Sequence, residues 1–183
     1  MKPLILLFLI LTNPAFAVDP CDDLWLSRNI IYDRHGYCFQ SALGRAIFDN
    51  KACHKTPAEL DKANAEKIAK IKAWEDELLC KMDTNRTRLD VDAVHLRFLL
   101  TEQPLANNSE TQCVRYRGAV SIVLYAGPST DTAPLGTIEI GDTVQWAHET
   151  QNGWEYVTIM QNDQTTKIGW TNANIQDCEG LAG

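Results

Sequence analysis

The chain has 183 residues, a formal net charge of −7, 45% apolar residues and six cysteines. That length suits one domain or two small ones. No basic stripe is offered to a phosphate backbone, so nucleic acid is excluded as a partner, and anionic membrane surfaces are disfavoured for the same reason.

Residues 1–17 read as a leader rather than as structure. Lys2 precedes a run of Leu, Ile and Phe, and Pro14-Ala15-Phe16-Ala17 fits a small-x-small cleavage site, which places the cut near Ala17–Val18. The apolar run is short for a membrane span and no other run approaches that length, so an integral membrane protein is not expected. The implied location is the periplasm or the exterior. The acid excess continues through both parts of the mature chain: residues 18–113 hold 13 basic and 16 acidic groups, and residues 114–183 hold 3 and 8.

In an exported chain an even cysteine count reads as three disulfides. Cys21 and Cys38 flank a predicted helix of about 14 residues, which sets them roughly 20 Å apart, beyond the Cα span of a disulfide of about 4–7 Å. That pair is rejected. Of the remaining pairings we favour Cys38–Cys53, Cys21–Cys80 and Cys113–Cys178. No C-x-x-C and no close Cys/His cluster is present, and neither a metal nor a cofactor is expected.

Asp19-Pro20-Cys21-Asp22 starts the first helix, with Asp19 as N-cap and Pro20 at its first position. It runs to about His35 as an amphipathic helix. Leu24, Arg28, Ile31, Tyr32 and His35 recur at helical spacing on the inward side, and Arg28 is expected to pair with a buried acid. Gly36 stands where a left-handed residue ends the helix. Ser41 to Phe48 gives a second, shorter helix. Thr56-Pro57-Ala58-Glu59 reads as a capping box opening a third helix to about Met82, with a long charged, solvated face. A short helix from about Asp90 to Leu100 follows, and Gln103 to Glu110 reads as a linker.

From Thr111 the pattern changes to short strands: Val114–Tyr116, Val120–Tyr125, Leu135–Ile140, Thr143–Trp146, Trp154–Ile159 and Lys167–Trp170, with Asn152-Gly153 as a hairpin turn.

Two stretches resemble known families. Tyr32-Asp33-Arg34-His35-Gly36, preceded by Leu26-Ser27-Arg28-Asn29-Ile30-Ile31 and followed by Tyr37 and Phe39, is similar to the motif of the YARHG domain, a small extracellular module. Asp33 replaces the usual alanine. The resemblance covers roughly residues 22–77 and implies no activity. Tyr125 to Ser129, Leu135 to Ile140, Asn152 to Trp154 and Gly169-Trp170 together resemble a bacterial SH3-like domain over residues 114–178, which implies a small closed β-barrel common in wall-associated proteins. Ile122-Val123-Leu124 departs from the arginine-bearing pattern of that family. The expected fold class is therefore α+β: a disulfide-linked helical domain over residues 18–103, a linker over 104–113, an SH3-like barrel over 114–178 and a tail over 179–183.

No nucleophile elbow, metalloprotease motif, glycine-rich nucleotide loop or facing carboxylate pair is legible. The reading is accordingly non-catalytic: an envelope module recognising peptidoglycan, another glycan or a periplasmic protein. One alternative is an inhibitor or accessory protein that binds a cationic extracellular protein. Another is a wall-active enzyme with an interdomain cleft. The candidate ligand contacts are Tyr125, Trp146, Trp154, Tyr156 and Trp170, since tyrosine and tryptophan carry large contact area and a polar handle. Arg34 and His35 join them as a polar pair at a helix end.

Overall fold

The computed structural model describes residues 19–54, 59–162 and 164–183. The leader and the first three residues of the predicted capping box, Thr56 to Ala58, lie outside the described residues.

Helix α1 spans Pro20–Arg34, with Asp19 accepting a bond from the Cys21 amide at 2.9 Å. Its end is a Schellman motif: the Gly36 amide donates to the Asp33 carbonyl, the Tyr37 amide to the Tyr32 carbonyl, and Gly36 takes φ +74°. The Tyr32 and Tyr37 rings meet across it, 5.7 Å apart. The helix is not one-sided, as its spacing suggested. Leu24 and Ile31 pack with Ile68, Ile71 and Leu105, while Trp25, Leu26 and Ile30 pack with Phe39, Leu43 and Phe48. Helix α1 is thus the centre of two small cores, and its buried set includes Asp22, Asp23, Ser27 and Asn29.

Helix α2, Ala42–Ile47, is capped by Ser41. Helix α3 spans Lys62–Glu77 and is shorter at both ends than predicted. Asp61 caps it by accepting from the Asn64 amide at 2.8 Å, and Glu59 and Leu60 are not helical. It stops because Leu79 adopts φ +56° in a second Schellman turn, which directs Cys80 toward Cys21. Arg28 meets Glu75 of α3 in a partly buried ion pair at 2.9 Å. Helix α4 is a single turn, Val94–Arg97, much shorter than the predicted 90–100 helix. The disulfides are Cys21–Cys80, Cys38–Cys53 and Cys113–Cys178, with Cα separations of 5.4, 5.0 and 5.3 Å.

The remainder is one antiparallel sheet of seven strands: β1 (Ala106–Tyr116), β2 (Ile122–Tyr125), β3 (Pro134–Ile138), β4 (Thr143–His148), β5 (Glu155–Gln161), β6 (Gln164–Thr171) and β7 (Cys178–Ala182). The strand order is β3-β2-β6-β5-β4-β1-β7. This corrects the SH3-like expectation, because the sheet is open and not a closed barrel. The physical reason lies at β1. Its outer edge, which closure would need, is paired with β7 through Gln112↔Ala182, Cys113↔Leu181 and Tyr116↔Cys178, and is cross-linked by Cys113–Cys178. No pairing joins the end strands β3 and β7 among the described residues. The expected linker supplies most of β1, and the expected tail is β7.

One face of the sheet closes over a core of Tyr116, Leu124, Ile138, Val144, Val157 and Ile159. Its other face carries Tyr156, Ile168 and Trp170 against Leu100 and Leu96, which puts the helical layer on that side. No helix among the described residues is long and apolar enough to cross a membrane.

Candidate functional site: a polar cavity between helices and sheet

The site begins at the first turn of α1. Capping acids are normally solvated, but α1 is buried on both sides, so Asp22 and Asp23 lose water and need partners. Asp22 receives the Arg86 guanidinium and the Asp90 amide. Asp23 receives Arg97 Nη1 at 2.5 Å and Nη2 at 3.3 Å, and its Oδ2 lies 3.2 Å from His148 Nε2.

Arg97 is 2% exposed and fully committed. Besides Asp23 it donates to Ser27 Oγ at 2.6 Å and to Gln103 Oε1 at 3.3 Å, and it lies over the Tyr156 ring at 5.5 Å. Ser27 in turn donates to the Pro104 carbonyl, so its hydroxyl proton is engaged. Burial pushes the Asp23 carboxyl up, but the Arg97 charge and His148 outweigh it and hold the group well below the usual carboxylate range. Burial opposes the charge on Arg97, and the Asp23 carboxylate more than restores it. The Tyr156 phenol is pushed up by its burial, with the Arg97 charge working against that.

This cluster forms the floor of a cavity of ≈130 Å³ between α1, the segment before α4, and the face of β1, β4, β5 and β6. Pro20, Val91, Ala106 and Ala147 supply apolar wall. Across the strands runs a polar ladder. Thr158 donates to Gln145 Oε1 at 3.2 Å, and the Gln145 amide donates to Glu110 Oε1, which also accepts from Gln112 at 3.2 Å. Asp92 and Ser109 are exposed at the rim. No group of three or more His, Cys, Asp or Glu side chains among the described residues is arranged to hold a metal ion.

The predicted aromatic residues do not form one groove. Trp170 is completely buried, and Tyr156 is 2% exposed and lines the cavity floor. Trp146 is half-buried and donates to Glu155 Oε2 at 2.8 Å. Tyr125 and Trp154 meet edge to face, 5.7 Å apart, away from the cavity wall. Arg34 clamps the turn after α4 by donating to the carbonyls of Phe98, Leu100 and Thr101. Its partners are therefore not the last carbonyls of its own helix. His35 Nδ1 lies 2.8 Å from the Ile31 carbonyl, and Nε2 lies 3.5 Å from Asp61. Both share a small pocket with Lys67, whose ammonium is driven down to about 7 by burial and by the Arg97, Lys70 and Arg34 charges. Lys67 is also in contact with the Glu102 carboxylate.

Asp23, Arg97, His148, Gln145 and Glu110 were missed by sequence reasoning. The one usable signal was the doubled acid at the start of a helix rich in apolar residues on every side.

A family profile described as "Domain of unknown function (DUF4453)" matches residues 79–183, and one described as "YARHG domain" matches residues 7–81. No curated protein and no solved structure matches the chain.

Proposed function

The chain belongs to the DUF4453 family, with a YARHG domain ahead of that region, and we propose that it is a non-catalytic binding module of the bacterial cell envelope. Export is supported by the leader-like start and by three disulfides. The binding reading is carried by one observation: a cavity walled by both the helical layer and the sheet, with a rigid, hydrogen-bonded polar floor. At ≈130 Å³ it lies below the roughly 300–1,000 Å³ of a typical small-molecule site. It suits one side-chain-sized group better than a sugar chain. The peptide part of peptidoglycan, or a periplasmic protein, therefore fits better than a pure glycan.

The test is a pull-down of the purified protein against sacculi and against periplasmic extract, at low and moderate salt. Retention on sacculi that Ala147→Leu abolishes, by filling the cavity, supports wall binding. Tyr125→Ala shows whether the aromatic pair outside the cavity contributes. A single stoichiometric protein partner without sacculus retention would replace wall binding with an accessory role.

The His148–Asp23 contact on the cavity wall favours a second reading, an enzyme using that histidine as a general base. Turnover of a wall fragment, lost in His148→Ala, would establish it and overturn the non-catalytic proposal.

A further inference from the structure

We infer that the group the cavity accepts is a primary ammonium on a short aliphatic stem, seated on Glu110 and Asp92; this rests on the cavity being the binding site. The charge of the walls decides it. Among the described lining residues, Arg97 is neutralised by Asp23 in a two-pronged pair and has further bonds to Ser27 and Gln103, and His148 also faces Asp23, at 3.2 Å. What remains is negative. Glu110 is held in place through Oε1 by the Gln145 and Gln112 amides, while its Oε2 has no partner among the described residues. The Asp92 carboxylate likewise has none, and both residues line the same cavity. An anionic ligand group would meet two carboxylates and no available cation. A neutral one would take water from the partly buried Glu110 carboxylate without compensating its charge.

Size and wall chemistry narrow the class further. Pro20, Val91, Ala106 and Ala147 give an aliphatic stem an apolar surface, and ≈130 Å³ admits a lysine-like arm but not a disaccharide. An ammonium brings three donors, enough for Glu110 Oε2, an Asp92 oxygen and one hydroxyl of the wall. The net charge of −7 steers such a cation inward. The same ammonium occurs in wall stem peptides and on protein lysines, so the chemistry is assigned and the source is left to the experiment.

Titration calorimetry on the full disulfide-bonded chain uses the peptide acetyl-Ala-Lys-Ala-amide and its Nε-acetylated twin. Binding of the first, with the twin weaker by at least about tenfold, is the expected result, since a hydrogen-bonded charge is removed. Asp92→Asn and Glu110→Gln should each weaken the lysine peptide by about tenfold. Asp92 is exposed, so its substitution leaves the fold intact. In parallel, sacculi and periplasmic extract are offered before and after chemical acetylation of their amines, which identifies the source. Equal binding of both peptides, or of neither, overturns the ammonium assignment. If sacculi or a periplasmic protein are still retained in that case, the cavity-binding reading survives alone. If nothing is retained, both fall.

Discussion

Replacing Asp23 by alanine removes the only carboxylate, among the described residues, bonded to the Arg97 guanidinium, which is itself 2% exposed. The cost follows from what stays behind. Arg97 keeps Ser27, Gln103 and the Tyr156 ring, all neutral, so a full positive charge remains buried among uncharged partners. Breaking one side of such a pair costs roughly 3–5 kcal/mol, a large share of a typical stability of about 5–15 kcal/mol. For a chain of this size that lowers Tm by roughly 6–20 °C. Thermal and urea unfolding under non-reducing conditions measure it. The companion variant Asp23→Leu/Arg97→Met removes both charges at similar volume and should recover most of the loss. A single substitution costing under about 1 kcal/mol, or a double variant as unstable as the single, would refute the claim that charge burial sets the cost.

Four further outcomes are expected. Asp23 and Asp142 both have depressed carboxyls: burial raises each, and Arg97 with His148, or Lys167 with the Glu139 amide and Gln161, more than reverses it. Their stabilising effect is therefore full above the unfolded-state value of about 4 and is lost as pH falls toward their lower folded values, so a urea midpoint unchanged between pH 5 and pH 3 would contradict it. Leu79 is 78% exposed at φ +56°, so Leu79→Gly relieves backbone strain without losing packing and should raise stability by about 1 kcal/mol in urea titrations. Arg34→Ala should cost about 1–2 kcal/mol and increase hydrogen exchange around residues 98–101, where it holds the carbonyls of Phe98, Leu100 and Thr101. Replacing both Cys113 and Cys178 by serine should lower stability by about 2–4 kcal/mol and expose β7 to carboxypeptidase, and non-reducing peptide mapping of the parent chain should return that pair.

What was legible in the sequence is what local chemistry decides. The start of α1 at Asp19-Pro20, its stop at Gly36 and the Asn152-Gly153 hairpin each depend on residues a few positions apart, and each stands where it was read. The steric argument against Cys21–Cys38 also needed only one helix. Barrel closure was a different matter. Strand β7 is Cys-Glu-Gly-Leu-Ala, with no β-branched or aromatic residue, and it exists because β1 offers it an edge and a disulfide. The start of β1 looks like a linker for the same reason: residues 107–110 fall in an irregular stretch between the Ala106↔His148 and Thr111↔Trp146 pairings with β4, and asparagine and serine have no preference for strands. The cavity was least legible of all. Its floor joins Asp23 to Arg97 and His148, partners 74 and 125 positions away, and near Asp23 only the doubled acid on a helix apolar on every side sets it apart from an ordinary capping acid.

The rigid rod of α1 also bears on the order in which thiols become available. A chain delivered N-terminus first presents Cys21 and Cys38 to an oxidant before any other cysteine, yet these two are not partners; Cys38 waits for Cys53, and Cys21 waits for Cys80. Fifteen helical residues hold the two sulfurs about 20 Å apart, so early folding of that segment blocks the first available mispairing. A proline placed at Ile30 should therefore show its effect during oxidation, as a trapped Cys21–Cys38 loop that a disulfide isomerase must reopen.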